Sequence, residues 1–114
     1  MSAHEGVAEA VGVGAYAVIF TSLRTEGDQG YAQTSDEMVA LAREQPGYLG
    51  METARGPDGV GITVSYWRDL ESIRHWKACS DHLAAQRAGR ERWYRAYRVR
   101  VCRVEREYAF EAGR

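Results

Sequence analysis

The residues best suited to chemistry are concentrated between positions 66 and 87. Tyr66-Trp67-Arg68-Asp69 joins an apolar strand pattern to a helical one, and His75, Trp76, His82, Gln86 and Arg87 follow it. An imidazole can take or give a proton near neutral pH. His82 is the better candidate base, because Gln86 and Arg87 lie one helical turn beyond it and could contact an oxygenated ligand. His75 neighbours Arg74 and Lys77, which predicts a solvent-facing position. Ser80-Asp81 predicts a helix break between the two histidines, which argues against a metal pair. Trp67 and Trp76 fit packing anchors that also line any pocket present. Trp93, Tyr94 and Tyr97 form an aromatic cluster that either closes a cavity mouth or packs the chain before the last strand.

These residues need elements to position them. Residues 1–14 are small and Gly/Ala-rich, and are expected to form a flexible arm. Residues 16–23 (YAVIFTSL) read as a strand with apolar residues at both parities, hence covered on both faces. Asp28 can cap a helix carrying Tyr31, Ser35, Met38, Leu41 and Ala42 along one side, which Pro46-Gly47 ends. Residues 48–55 and 60–68 read as a hairpin about the Gly56-Pro57-Asp58-Gly59 turn. Asp69 caps a helix with Leu70, Ile73 and Trp76 on one side. Ser80 or Asp81 starts another helix, weakened at Gly89, and residues 99–108 form the last strand. The order predicts an α+β fold, a ferredoxin-like split βαβ with a four-stranded antiparallel sheet. Helices then cover one sheet face, and a second copy is expected to cover the other. Residues 15–110 form the domain and 111–114 a tail.

Bulk properties narrow the function. With 114 residues, 45% of them hydrophobic, the chain makes one domain with a real core. Its 15 basic and 16 acidic side chains leave a net charge of −1, which argues against a general polyanion binder. The arginines between Arg87 and Arg106 fit a solvated helix-and-strand surface, or else an anion site. Cys79 and Cys102 have no metal-ligand spacing and suit reduced thiols in a cytoplasmic protein. No signal peptide or membrane span is expected, since the longest apolar run covers only residues 15–20. A phosphate loop, a nucleophile elbow and a zinc cluster are missing. Val99-Arg100-Val101-Cys102-Arg103-Val104 lacks the aromatics and glycines of an RNA-binding strand, so nucleic acid is not an expected partner.

The succession Pro46-Gly47-Tyr48-Leu49-Gly50, Gly59-Val60-Gly61-Ile62-Thr63-Val64-Ser65-Tyr66-Trp67-Arg68-Asp69, then Trp76 and His82, resembles the antibiotic biosynthesis monooxygenase family over roughly residues 15–108. The resemblance implies a homodimeric α+β barrel with a pocket between helices and sheet. Family members oxidise aromatic anthrones or quinols with oxygen and neither metal nor flavin, the deprotonated substrate supplying the electrons. Trp67 falls where they have a pocket tryptophan, and Arg87 matches their pocket arginine. Ile73, Thr63 and Ala54 stand where they have tyrosine, asparagine and histidine. A haem-degrading branch of the superfamily shares Trp76, but Gln86 takes its iron-ligand position and Phe20 its asparagine position, and glutamine is a poor iron ligand. The expected activity is therefore cofactor-independent oxidation of a small electron-rich aromatic. His82 and Arg87 are the expected catalytic groups, and Trp67, Ile73, Trp76, Gln86 and Tyr94 the substrate contacts. The alternative is a non-catalytic ligand-binding or stress-related barrel.

Overall fold

A computed structural model describes residues 7–87 and 90–113. The β-branched and aromatic run after Ala15 forms β1 (Tyr16–Arg24), and the helix that follows is α1 (Tyr31–Arg43). Asp28 satisfies the first turn of α1 from a little upstream, accepting from the Gly30 and Ala32 N–H groups at 3.1 Å each, while Gly30 takes a left-handed φ of 84°. The hairpin is β2 (Tyr48–Arg55) and β3 (Val60–Trp67). Asp69 caps α2 (Leu70–Gln86), its carboxylate accepting from Ser72 N at 2.8 Å. The Pro46-Gly47 turn docks on that corner. Gly47 has φ 83°, and a Cβ there would stand 2.6 Å from Ser72 Cβ, so only glycine fits. A one-turn helix α3 (Arg90–Trp93) leads into β4 (Tyr94–Arg103).

The sheet is four-stranded and antiparallel, in the order β2-β3-β1-β4, as the split βαβ reading requires. Its register decides which side chains meet. Trp67 lies opposite Tyr16 and Tyr48, Ser65 opposite Val18 and Met51, Thr63 opposite Phe20 and Thr53, and Gly61 opposite Ser22 and Arg55. Side chains alternate along a strand, so these rows share one face. Trp67 stacks on Trp76 of α2, which identifies that face as the helix-covered one. The far face carries Ala17, Ile19 and Leu23 beside Val60, Ile62 and Val64, and Ile62 is 46% exposed there. No helix among the described residues is long and apolar enough to cross a membrane.

Two local expectations need correction. First, α2 runs unbroken through Ser80 and Asp81. The side chains that would have capped a new helix are used within the existing one: Ser80 Oγ donates to Lys77 O at 3.1 Å, and Asp81 pairs with Lys77 at 2.7 Å and with Arg90. Second, β4 begins at Tyr94 and ends at Arg103, so Tyr94 and Tyr97 are strand residues, consistent with the β preference of aromatics. Residues 7–14 make contacts with the rest of the chain. Ala8 N donates to Glu52 at 3.0 Å, Val11 N and Gly12 N to Glu107 at 2.9 Å each, and Gly14 N to Val104 O at 2.9 Å. The two arm amides hold the Glu107 carboxyl below its ordinary pKa. The expected weakening at Gly89 lies outside the described residues.

Candidate functional site

The helix-covered face of the sheet, the chamber side of the fold, has two unlike ends. At one end Trp67 is fully buried, with 0% exposure. Its ring meets Tyr48 edge-on at 5.6 Å and stacks on Trp76 at 5.7 Å and 23°. Its indole N–H donates to Ser65 Oγ at 2.9 Å, so its polar tip is satisfied. Ile73 and Trp76 are half-buried on α2, beside the same stack. Along the floor, the Thr53 and Thr63 hydroxyls bond to each other at 2.8 Å.

The other end is aromatic and cationic. Phe20 packs against Tyr97 at 5.1 Å and Tyr94 at 5.4 Å, and Tyr31 stands edge-on to Tyr94 at 5.9 Å and to Trp93 at 6.0 Å. Trp93 is buried and donates its indole N–H to Gln29 O at 2.9 Å. The Arg24 guanidinium lies 3.7 Å over the Tyr31 ring, a cation–π contact. It is held by the carbonyls of Trp93 at 2.9 Å, Gly27 at 3.0 Å and Asp28 at 3.4 Å. Arg55 Nη2 donates to Ser22 Oγ at 2.9 Å and to Tyr31 Oη at 3.4 Å. Burial raises the Tyr94 pKa first, and its hydrogen bond with Tyr31 raises it further, against a pull downward from Arg55 and Arg24. Tyr94 is therefore a neutral phenol near neutral pH. It can donate a hydrogen bond to a developing anion but cannot serve there as a base.

The expected site residues separate on this geometry. Trp67, Ile73 and Trp76 come together at the first end, and Tyr94 stands at the second. His82 is exposed, and on the continuous helix it sits about 120° around the axis from Trp76 and about 180° from Ile73. Gln86 is exposed near the end of the same helix. Arg87 pairs with Glu37 at 2.9 Å, bridging to α1. Ala54 pairs with Ile62 on the far face, so Thr53 and Arg55 on either side of it face the chamber. Sequence reasoning missed Tyr31 as a polar group, together with Ser22, Arg24, Arg55 and Thr53. The signal lay in the parity of the hairpin, where Arg55 and Thr53 share the face of Trp67.

The family model described as antibiotic biosynthesis monooxygenase matches residues 15–88. The uncharacterized protein YqjZ of Bacillus subtilis (strain 168) is 50% identical over 96 residues, 84% of this chain and 84% of its own length. SnoaB of Streptomyces nogalater, described as a cofactor-independent oxygenase, superposes with a TM-score of 0.69 at 11% identity, over 83% of this chain and 97% of that one. Rv0793 of Mycobacterium tuberculosis gives 0.67 at 19% identity, over 83% and 99%. At such identities the solved structures share the fold. With its matching domain and a close relative over most of its length, the chain belongs to the antibiotic biosynthesis monooxygenase family.

Proposed function

We propose that the chain oxidises a small electron-rich aromatic, of anthrone or quinol type, with molecular oxygen and no metal or flavin. The observation that carries this reading is the aromatic lining of the helix-covered sheet face, with Trp76 at one end, Phe20, Tyr94 and Tyr97 at the other, and the Thr53–Thr63 hydroxyl pair on the same face. Family membership and the likeness to a cofactor-independent oxygenase support it. An anthrone needs only to lose a proton to become an electron-rich anion that reduces oxygen. Its CH₂ becomes a carbonyl, one oxygen atom enters the product and the other leaves as water, so atoms and electrons balance. Such a reaction asks the protein to exclude water, hold the ring and stabilise the anion, which aromatic walls and hydroxyl donors do.

In this reading Trp67 fixes the wall, Trp76 and Ile73 contact the ring, and Tyr94 donates to the anionic oxygen. His82 and Arg87 are rim groups, reached only from the outer side of α2 and from its junction with α1. The working unit is a homodimer with far faces packed together. The two-sided apolar pattern of β1 and the exposure of Val60 (42%) and Ile62 (46%) support that assembly. The cytoplasm is the proposed compartment.

A second reading, binding without turnover, is favoured by one observation: neither His75 nor His82 lies on the buried stripe of α2. Protein verified free of metal and flavin should consume oxygen when given members of a panel of anthrones and hydroquinones. Binding without oxygen uptake selects the second reading, and neither binding nor uptake sinks the first. A His82→Ala variant with unchanged turnover removes the rim histidine from the mechanism.

A further inference from the structure

The cationic end of the chamber contains a feature that packing does not require. Arg55 and Ser22 flank Gly61 from opposite sides in the three-strand register, and the Arg55 side chain crosses over Gly61 to reach Ser22 Oγ at 2.9 Å. A Cβ on Gly61 would stand 2.6 Å from Arg55 Nη2 and 2.8 Å from its Nε. The missing side chain of a buried glycine is therefore the space in which the guanidinium lies. Gly61 itself has no left-handed φ, so nothing in its backbone calls for glycine. The close approach of Arg55 does.

This guanidinium carries no counter-charge. Among the described residues, neither Arg24 nor Arg55 lies in an ion pair, whereas Arg68, Arg74, Arg87 and Arg90 all do. Arg24 is held by carbonyls and a ring face, as a latch between β1 and the segment before β4. Arg55 is different. It donates to Gly59 O, Ser22 Oγ and Tyr31 Oη, all neutral oxygens, and the residue remains exposed. Its longest contact is the one to Tyr31 Oη at 3.4 Å, so the Nε–H and that Nη2–H can be given to the two oxygens of a carboxylate, a geometry in which the planar guanidinium binds such a group. The Tyr31 hydroxyl stands beside the guanidinium and the Tyr94 ring meets that of Tyr31, while Tyr97 pairs with Ser22 across the sheet and packs on Phe20.

We infer that Arg55, cradled over Gly61 between Ser22 and Tyr31, is a carboxylate-recognition site, so the ligand of this chamber is an aromatic acid. The inference rests on the reading that the chamber receives an aromatic ligand, and it adds the charged group that ligand carries. The carboxylate sits against Arg55 at the mouth, with the ring directed inward along Phe20 toward Trp76.

Two probes with the same ring system test this by calorimetry on the full chain at neutral pH: 1-hydroxy-2-naphthoate and the neutral 1-naphthol. Wild type should bind the acid about tenfold or more tighter, as expected for a charge-assisted contact. Gly61→Ala keeps the charge but evicts the guanidinium, and Arg55→Met removes it. Both variants should bring the two affinities within about twofold, leaving that for 1-naphthol unchanged. Displacing a flexible side-chain end should leave the melting temperature nearly unaltered, and should Gly61→Ala misfold, Arg55→Met decides. Equal affinities in wild type, a preference that survives Arg55→Met, or binding of neither probe overturns the inference. Equal probe affinities with intact oxygen uptake on a neutral anthrone remove the carboxylate site alone. A preference for the acid with no oxygen uptake on any substrate removes the oxidation reading alone.

Discussion

The two ends of the chamber are built from similar residue types but solve different problems. At the Trp67 end the buried indole N–H is on Ser65, and the ring is held between Tyr48 and Trp76. That end is core. At the Arg55 end the aromatic rings are again in contact, but a cation is left among neutral oxygens, and the Tyr31 and Tyr94 rings meet edge-on at 5.9 Å between centroids. Both ends would look like packing from composition alone. What separates them is whether a charged group is neutralised within the protein, and that difference assigns the fixed wall to one end and charge recognition to the other.

The contrast can be broken by substitution. The largest effect is expected from Trp67→Ala, which empties a fully buried site and should cost about 3–5 kcal/mol in chemical denaturation. A loss below about 1 kcal/mol would mean that the stack is not core. Alkaline pH probes the other end. Tyr94 has its pKa raised above the ordinary 10.0, so the folded state keeps a proton that the unfolded chain loses. Its contribution is fully present below pH 10 and is lost as pH rises through the folded value. Wild type should therefore lose stability above pH 10 more steeply than Tyr94→Phe. A residual slope should remain in that variant, because burial and the Glu52 hydrogen bond push Tyr66 up to about 12 with the same sign. Equal slopes in the two proteins would remove Tyr94 from the account. The smallest effect is expected from Arg87→Ala. Its pair with Glu37 is 41% and 36% exposed, so the loss should be about 1 kcal/mol or less in the same denaturation assay.

Much of the fold was legible because its signals are local. The two-sided apolar run of β1, the hairpin turn at Gly56–Gly59 and the Asp69 cap each follow from a few neighbouring residues. The chamber's chemistry was less legible. The spacing of His82 to Gln86 and Arg87 favours it as a base but does not fix its orientation, and on the continuous helix, where Lys77 and Arg90 engage Asp81, His82 is exposed. Arg55 was overlooked because its setting depends on three strands in register, with Ser22, Gly61 and Arg55 in one row. Nothing within ten residues of Arg55 names Ser22. The exposure of Val99 (47%) and Val101 (49%), on the chamber side of β4, is another feature set by tertiary arrangement.

The central claim, that a ligand lies in the chamber with its charged group at Arg55, is tested most directly by mapping amide and side-chain N–H resonances. Isotope-labelled protein would be titrated with 1-hydroxy-2-naphthoate. The account predicts the largest shifts at Ser22, Tyr31, Gly61, Tyr94, the Arg55 Nε–H and the Trp76 indole. Shifts confined to Ile62, Val64 and their neighbours on the far face, or to the outer side of α2 around His82, would contradict it.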